Sequence, residues 1–310
     1  MNPTHAGPWD SGRCYGSGVQ VHLLDATYEI FRAHFGRPPS KAPDGREVGA
    51  TIGVVESVLG LLREPGVTHL ACATDHVIRS WRNERWPGYK TEAGMPPELL
   101  AQFQLLEDAL RACGLVVWPM VEYEADDAIG AAAARWGADP AVERVVILSP
   151  DKDMTQCVRE DGRVVCYDRR KGLLIDADAV RAKFGVSPAS IPDYLALVGD
   201  SADGFPGVPG WGAKSAAAVL ERYEHLDAIP ERASHWDASV RGALTLAANL
   251  RDHRSEAFLF RELATLSLDA PISEALGDLR WRGVPRAPFL EMVERLGAPH
   301  LRGRVPRWAA

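Results

Sequence analysis

The chain has 310 residues, of which 46% are hydrophobic, and its formal net charge is −7. This size and composition predict a globular, soluble protein with a substantial core in one large or two modest domains. No apolar run reaches the roughly 20 residues that span a bilayer, and the first 20 residues lack the apolar segment of a secretory signal. We therefore expect a cytoplasmic protein without a membrane partner.

The predicted elements of the first half alternate between strands and helices. Residues 1–18, rich in Gly, Pro and Ser, are predicted to be a disordered tail. Apolar runs predict buried strands at residues 19–24, 68–73, 115–119 and 144–148. Apolar spacing of three to four residues predicts helices at residues 47–63 and 97–113, and a third helix begins near Glu124. Such alternation predicts a largely parallel sheet with helices on both faces.

Carboxylates follow or approach the ends of these predicted strands. The nine residues of interest are Asp25, Asp75, Glu124, Asp126, Asp127, Asp151, Asp153, Asp200 and Asp203. Ligands of parallel sheets bind beyond the carboxyl ends of the strands, so most of these side chains can converge at one edge. Two like charges about 4 Å apart repel by ~1 kcal/mol even in water. Divalent cations that prefer oxygen ligands would reverse this cost, and the pattern predicts a metal centre.

Each acidic run also has an ordinary interpretation, because Asp after a strand and Glu or Asp in a first helical turn are common caps. The agreement of five runs with one topology favours the metal centre. The negative net charge does not exclude a phosphate-rich substrate, because 33 acidic residues remain against 35 basic ones when these nine are set aside.

The region after Asp176 has a different character. A helix is predicted over residues 191–199, then a loop with Gly207, Gly210 and Gly212, then a helix from about residue 213 to 223. Glycines allow close approach of the backbone to a ligand, and a helix start favours an anion. This arrangement with Lys214 suits a phosphate diester, although an ordinary turn between two helices remains the alternative.

Several motifs together resemble those of one known family. They are the segments 23–25, 73–75, 81–90, 121–130, 147–154, 193–200 and 207–212. The chain resembles, over residues 19–290, the bacterial and phage 5'-3' exonuclease family of flap endonucleases, which includes the nuclease domain of bacterial DNA polymerase I. The resemblance implies a PIN-like α/β fold: a nuclease core with a helical arch at residues 19–175 and a helical DNA-binding region with a helix-hairpin-helix-like motif at residues 176–310.

The resemblance also assigns roles to individual residues. Asp25, Asp75, Glu124, Asp126 and Asp127 would serve one Mg²⁺ ion, and Asp151, Asp153, Asp200 and Asp203 a second; Mn²⁺ is a substitute, and K⁺ is implied at the helix-hairpin-helix-like loop. Arg82, Lys90 and Arg32 would contact the scissile phosphate. Tyr89 would stack on a base, and Gly207, Gly210, Gly212, Lys214 and Ser215 would bind duplex DNA.

The implied function is a 5'-3' exonuclease and 5'-flap endonuclease of DNA replication and repair, acting on flapped, nicked or 5'-ended duplexes without an organic cofactor. Thr91 and the residues up to Gly94 replace an arginine that usually follows Lys90 in the family. An altered substrate preference is therefore expected. A non-catalytic binder of DNA junctions and a PIN-type ribonuclease remain alternatives.

Overall fold

The computed structural model describes residues 18–310. The predicted tail therefore lies outside the described residues, apart from Gly18. Six strands form one sheet in the order β3-β2-β1-β4-β5-β6. Their bounds are Val19–Asp25 (β1), His69–Asp75 (β2), Val116–Met120 (β3), Val142–Leu148 (β4), Val164–Asp168 (β5) and Leu173–Ile175 (β6). Neighbouring strands from β3 to β5 are parallel, and β6 alone runs antiparallel to its neighbour, which confirms the largely parallel sheet.

Helices connect these strands and then form the second half of the chain. Those of the first half are Ala26–Gly36 (α1), Gly49–Leu61 (α2), Arg82–Arg85 (α3), Pro97–Leu100 (α4), Phe103–Ala112 (α5) and Ala125–Ala138 (α6). Those of the second half are Ala177–Phe184 (α7), Ile191–Val198 (α8), Ala213–Tyr223 (α9), Ala243–Asp252 (α10), Arg254–Ala264 (α11) and Arg286–Leu296 (α12). None of the helices within residues 18–310 is long and apolar enough to cross a bilayer.

The core consists of two apolar layers, one on each face of the sheet. Alternate residues of a strand point to opposite faces, so Leu23 joins the layer that contains α6, α8 and α11, whereas Leu24 joins the layer that contains α1, α2, α5 and α12. All seven residues of β2 are buried. Burial on both faces explains why these strands are continuous apolar runs rather than alternating ones.

Two predicted helical features are different in the structure. The helix predicted over residues 97–113 is divided into α4 and α5, because the buried Gln102 turns its amide to Thr51 of α2 and to the carbonyl of Glu98. The helical arch implied for the segment after β2 is reduced to the single turns α3 and α4. Backbone hydrogen bonds from Trp81 to Glu122 and from Lys90 to Asp203 hold this segment against the body.

Candidate metal centre

Hydrogen bonds to two carboxylates tie the carboxyl end of β1 to that of β4, and the carboxyl end of β2 to the start of α6. Asp25 ends β1 and caps α1, where one oxygen accepts from the amide of Tyr28 at 2.8 Å. Its other oxygen accepts from Ser149, just after β4, at 2.9 Å. Asp75 ends β2 and accepts from the amide of Ala125, at the start of α6, at 2.7 Å. The parallel topology therefore brings these distant segments to one edge, as predicted.

A second group of carboxylates combines Asp153, which follows β4, with two residues that follow α8, Asp200 and Asp203. Ligand oxygens of Asp153, Asp200 and Asp203 all lie within 4.8 Å of one another, and all three residues are buried. Oδ1 of Asp153 is buried without a hydrogen-bond partner in the described part of the chain. A buried carboxylate oxygen that lacks a hydrogen bond and lies beside two further carboxylates favours a bound cation. Hard divalent cations such as Mg²⁺ and Mn²⁺ prefer such a set of oxygen donors, so the residues fit the implied metal.

Repulsion from Asp151 connects the two groups, because burial and then the charge of Asp151 raise the pKa of Asp153 well above its usual range. Burial, with smaller contributions from the charges of Asp151 and Asp75, raises the pKa of Asp25 to about 7. Burial likewise raises the pKa of Asp75 to about 6, and it raises that of Asp126 well above its usual range together with the charges of Asp25 and Asp151. We call Asp25, Asp75, Asp126, Asp151, Asp153, Asp200 and Asp203 the acidic cluster. Divalent cations would relieve the repulsion within it.

Lys90 lies between two carboxylates at the border of the acidic cluster. Its Nζ is 2.8 Å from Glu124 and 3.1 Å from Asp203, and 26% of the side chain is exposed. The other oxygen of Glu124 accepts from Ser80 at 2.6 Å. Burial alone would raise the pKa of Glu124, but the charges of Lys90 and Arg82 hold it at about 2. Glu124 is therefore ionised and anchors Lys90 beside the cluster.

Arg82 and Asp127 do not occupy the positions expected of them. The Arg82 side chain is only 2% exposed, and its guanidinium donates to both oxygens of Asp127 at 2.7 and 2.8 Å and to the carbonyls of Leu263 and Thr265. Asp127 also accepts from the amides of Glu124 and Ser267. Both groups are thus fully hydrogen-bonded inside the protein, which leaves Arg82 unavailable to a phosphate and Asp127 unavailable to a metal. We call Arg82, Glu124 and Asp127 the buried ion-pair network.

Tyr89 and Arg32 also differ from their predicted positions. Tyr89 is 3% exposed, and its hydroxyl points to Glu124 at 3.4 Å, so the ring is not available for stacking on a base. Arg32 is paired with Glu29 on its own helix rather than with the acidic cluster. The expected roles of both residues at the scissile phosphate or the terminal base depended on motif position, which does not specify where a side chain points.

The predicted helix-loop-helix is present between α8 and α9. Gly207 has φ +75°, and a Cβ there would lie 2.4 Å from the backbone nitrogen of Gly199, so this glycine permits close packing inside the loop. Gly210 is exposed with φ +80°. Ser215 closes the first turn of α9 through hydrogen bonds with Gly212. Lys214 is exposed at the helix start, which leaves it available to an anion.

Three further polar residues at the site were not identified from the sequence. Ser149 and Ser80 fix the orientation of Asp25 and Glu124. Lys152 pairs with Asp200 and lies 4.0 Å from Asp153. The position of Lys152 between Asp151 and Asp153 was a usable signal, whereas a serine near a strand end is too common to indicate a role.

Comparison with known proteins identifies the family. A family model described as the 5'-3' exonuclease N-terminal resolvase-like domain matches residues 20–185, and one described as the 5'-3' exonuclease C-terminal SAM fold matches residues 186–287. The chain belongs to the 5'-3' exonuclease family. The match confirms the resemblance drawn from the motifs.

Curated relatives of this 5'-3' exonuclease family chain include longer enzymes. The chain is 35% identical over 289 residues to DNA polymerase I of Pseudomonas aeruginosa, which covers 90% of this chain and 30% of the relative. It is 32% identical over 280 residues to DNA polymerase I of Bacillus caldotenax, and this match covers 89% of this chain and 31% of the relative. The chain thus spans about a third of the length of these relatives.

Solved structures of 5'-nucleases share the fold. A mutant of T5 5'-exonuclease superposes with a TM-score of 0.60 at 16% identity, over 90% of this chain and 99% of that one. The catalytic core of Rad2, in a complex with DNA substrate, superposes with a TM-score of 0.55 at 15% identity, over 92% and 90% of the two chains. At these identities the likeness establishes the fold.

Proposed function

We propose that this chain is a divalent-metal-dependent 5'-3' exonuclease and 5'-flap endonuclease that hydrolyses DNA phosphodiester bonds. The observation that carries the proposal is the convergence of the acidic cluster, above all Asp153, Asp200 and Asp203, at the carboxyl edge of a sheet in a 5'-3' exonuclease fold. We assign Mg²⁺ as the physiological metal, Mn²⁺ as its substitute, and K⁺ to the loop at residues 207–212. A cytoplasmic location belongs to the same proposal.

Individual residues of the cluster have distinct parts in this proposal. Asp25, Asp75 and Asp126 would hold one ion, and Asp151, Asp153, Asp200 and Asp203 the other. Two divalent ions held there would supply activation of a water and stabilisation of the charge that develops on the scissile phosphate. Glu124 supports Lys90 through its 2.8 Å ion pair, and we revise the sequence-based ligand set by omitting both Glu124 and Asp127.

Lys90 is the basic residue that we assign to the scissile phosphate. It is partly exposed at the border of the acidic cluster, so its ammonium can donate to a phosphate oxygen while Glu124 and Asp203 balance its charge. Duplex DNA would bind along the helix-loop-helix through the exposed Lys214. The basic side chain at a helix start offers a phosphate both a positive charge and backbone N–H groups.

Cleavage of three substrates, with and without magnesium, tests the proposal. The substrates are a 5'-flap duplex, a nicked DNA duplex and a single-stranded RNA. We expect magnesium-dependent cleavage of the flap and nicked DNAs at their 5' side. Binding of the flap without any cleavage would support the non-catalytic junction binder, and faster cleavage of RNA than of either DNA would support the PIN-type ribonuclease.

A further inference from the structure

A polar cavity of about 220 Å³ lies beside the acidic cluster, on the α1 face of the sheet. Its wall contains residues of α1, Ser57 of α2, and residues at the ends of β4 and β5. The wall is continuous with the metal centre at two points. The backbone amide of Tyr28 donates to Asp25, and Pro150 immediately precedes Asp151. A ligand in the cavity would therefore be adjacent to the acidic cluster.

The two acidic residues of the wall are already neutralised by protein groups. Glu29 faces Arg32 and Arg169, and it is also within hydrogen-bond reach of Ser57. Asp168 accepts from the backbone amides of Arg170 and Lys171, and its carboxylate is 3.6 Å from the Lys171 ammonium. Neither carboxylate therefore repels an anion at full strength.

Donors in the same wall remain available. Arg170 is exposed, and within residues 18–310 its guanidinium makes no hydrogen bond or ion pair with the protein. The hydroxyl of Tyr28 likewise makes no hydrogen bond there. Arg32 keeps 38% of its side chain exposed at the rim. Three arginines against two carboxylates give the wall a formal charge of +1, which suits a single anionic group.

The size of the cavity restricts the occupant. Pockets for drug-sized ligands and cofactors usually measure ~300 to 1,000 Å³, so a volume of about 220 Å³ is small for such a molecule. A water molecule takes ~30 Å³ in the liquid. The cavity thus has room for a phosphate group and a few waters. Guanidinium groups form paired hydrogen bonds with phosphate oxygens, which matches the free Arg170.

We propose that this cavity binds a backbone phosphate of the DNA strand that enters the acidic cluster. The proposal rests on the proposed function for the identity of the polymer, and it adds Arg170 and Tyr28 as residues that position the strand. The shared wall means that a phosphate held by Arg170 would fix the register of the neighbouring scissile phosphate. Free phosphate has the same chemistry and is the competing source of the anion.

Binding of a 5'-flap DNA to Arg170→Ala, measured by fluorescence anisotropy in EDTA over a series of salt concentrations, tests the proposal. The control is Arg159→Ala, which removes the same charge from the loop that precedes β5. This loop lies at the amino ends of the parallel strands, away from the cavity, and Arg159 is paired there with Asp161. We expect Arg170→Ala to weaken binding about tenfold at low salt and to reduce the slope of log affinity against log salt by about one. Arg159→Ala should match the wild type.

A second variant and two further outcomes separate the possibilities. Tyr28→Phe keeps the ring and the backbone amide, and it should weaken binding about threefold without changing the salt slope, because a neutral donor is lost. Identical salt slopes for Arg170→Ala and Arg159→Ala, in a preparation that cleaves DNA, would overturn the cavity proposal alone. Inorganic phosphate could raise the Tm of the wild type but not that of Arg170→Ala, while both proteins show the same salt slope for DNA binding. This result would assign the cavity to a free anion and overturn the strand proposal. If Arg170→Ala shows the expected lower salt slope but the wild type does not cleave DNA, only the proposed function is refuted.

Discussion

Asp126 and Asp127 are adjacent in the sequence, yet they belong to two regions with opposite electrostatic character. Asp126 lies in the acidic cluster, where burial and the charges of Asp25 and Asp151 raise its pKa. Asp127 lies in the buried ion-pair network, where Arg82 donates to both of its oxygens. The seven carboxylates of the cluster have only two protein cations beside them, Lys90 and Lys152, so a bound cation would be favourable there. The network supplies its own counter-charge through Arg82. Both residues are aspartates in the first turn of the same helix, so only their bonding partners distinguish the proposed metal ligand Asp126 from the structural residue Asp127.

The largest expected effect is the loss of cleavage on Asp126→Asn. This change removes a proposed metal ligand but keeps the side-chain volume, and we expect turnover to fall by about a thousandfold or more, since several kcal/mol of charge stabilisation is lost. The metal-free protein should be no less stable, because one source of repulsion in the acidic cluster is removed. Single-turnover cleavage of a 5'-flap DNA and thermal unfolding in EDTA check the two parts. Turnover near that of the wild type would remove Asp126 from the ligand set.

The matched change Asp127→Asn should act mainly on stability. It leaves the buried Arg82 without its anionic partner, and breaking a buried pair in this way costs about 3 to 5 kcal/mol. Urea unfolding at equilibrium measures this loss as a lower midpoint with an unchanged slope. A stability equal to that of the wild type, together with lost metal binding, would return Asp127 to the ligands.

Metal removal should destabilise the protein in a pH-dependent way. The folded-state pKa values of Asp25 and Asp75, about 7 and about 6, are above the usual 3.8. Their stabilising contribution to the metal-free fold is therefore present at low pH and lost as pH rises through these values. Magnesium binds the deprotonated carboxylates, so the increase in Tm on adding it should be larger near pH ~8 than near pH ~5. A larger increase at the lower pH would contradict this account.

The smallest expected effect concerns the exposed Lys214 at the start of α9. Lys214→Ala should weaken duplex binding only a few-fold and reduce the salt slope by about one, because a single phosphate contact is lost. Lys183→Ala, on α7, removes the same charge and serves as the control. Anisotropy measurements on a DNA duplex compare the two, and equal behaviour would show that the duplex does not reach α9.

The parallel sheet and its acidic edge were predictable because they depend on local patterns. Val19–Asp25 and His69–Asp75 are apolar runs that end in Asp, and parallel topology alone brings those ends together. The helix-loop-helix around Gly207 was predictable for the same reason. The short strand Leu173–Ile175 was not predicted, because three residues carry too little pattern.

The buried ion-pair network was not predictable because it depends on contacts between distant residues. Arg82 donates to carbonyls of Leu263 and Thr265, more than 180 residues away in the sequence. A basic, aromatic segment at residues 79–90 looks like a solvated surface until α11 is placed against it. Tyr89 in the same segment is also buried, with its hydroxyl directed to Glu124, and is unavailable to DNA.

Anomalous diffraction from crystals grown with Mn²⁺ tests most directly whether the acidic cluster, and not the adjacent network, is the metal centre. We predict anomalous peaks within ~2.0 to 2.6 Å of carboxylate oxygens of Asp153, Asp200 and Asp203, with a further peak beside Asp25, Asp75 and Asp126. Asp127 should remain bonded to Arg82. The absence of any peak at Asp153, or a peak coordinated by Asp127, would contradict the account.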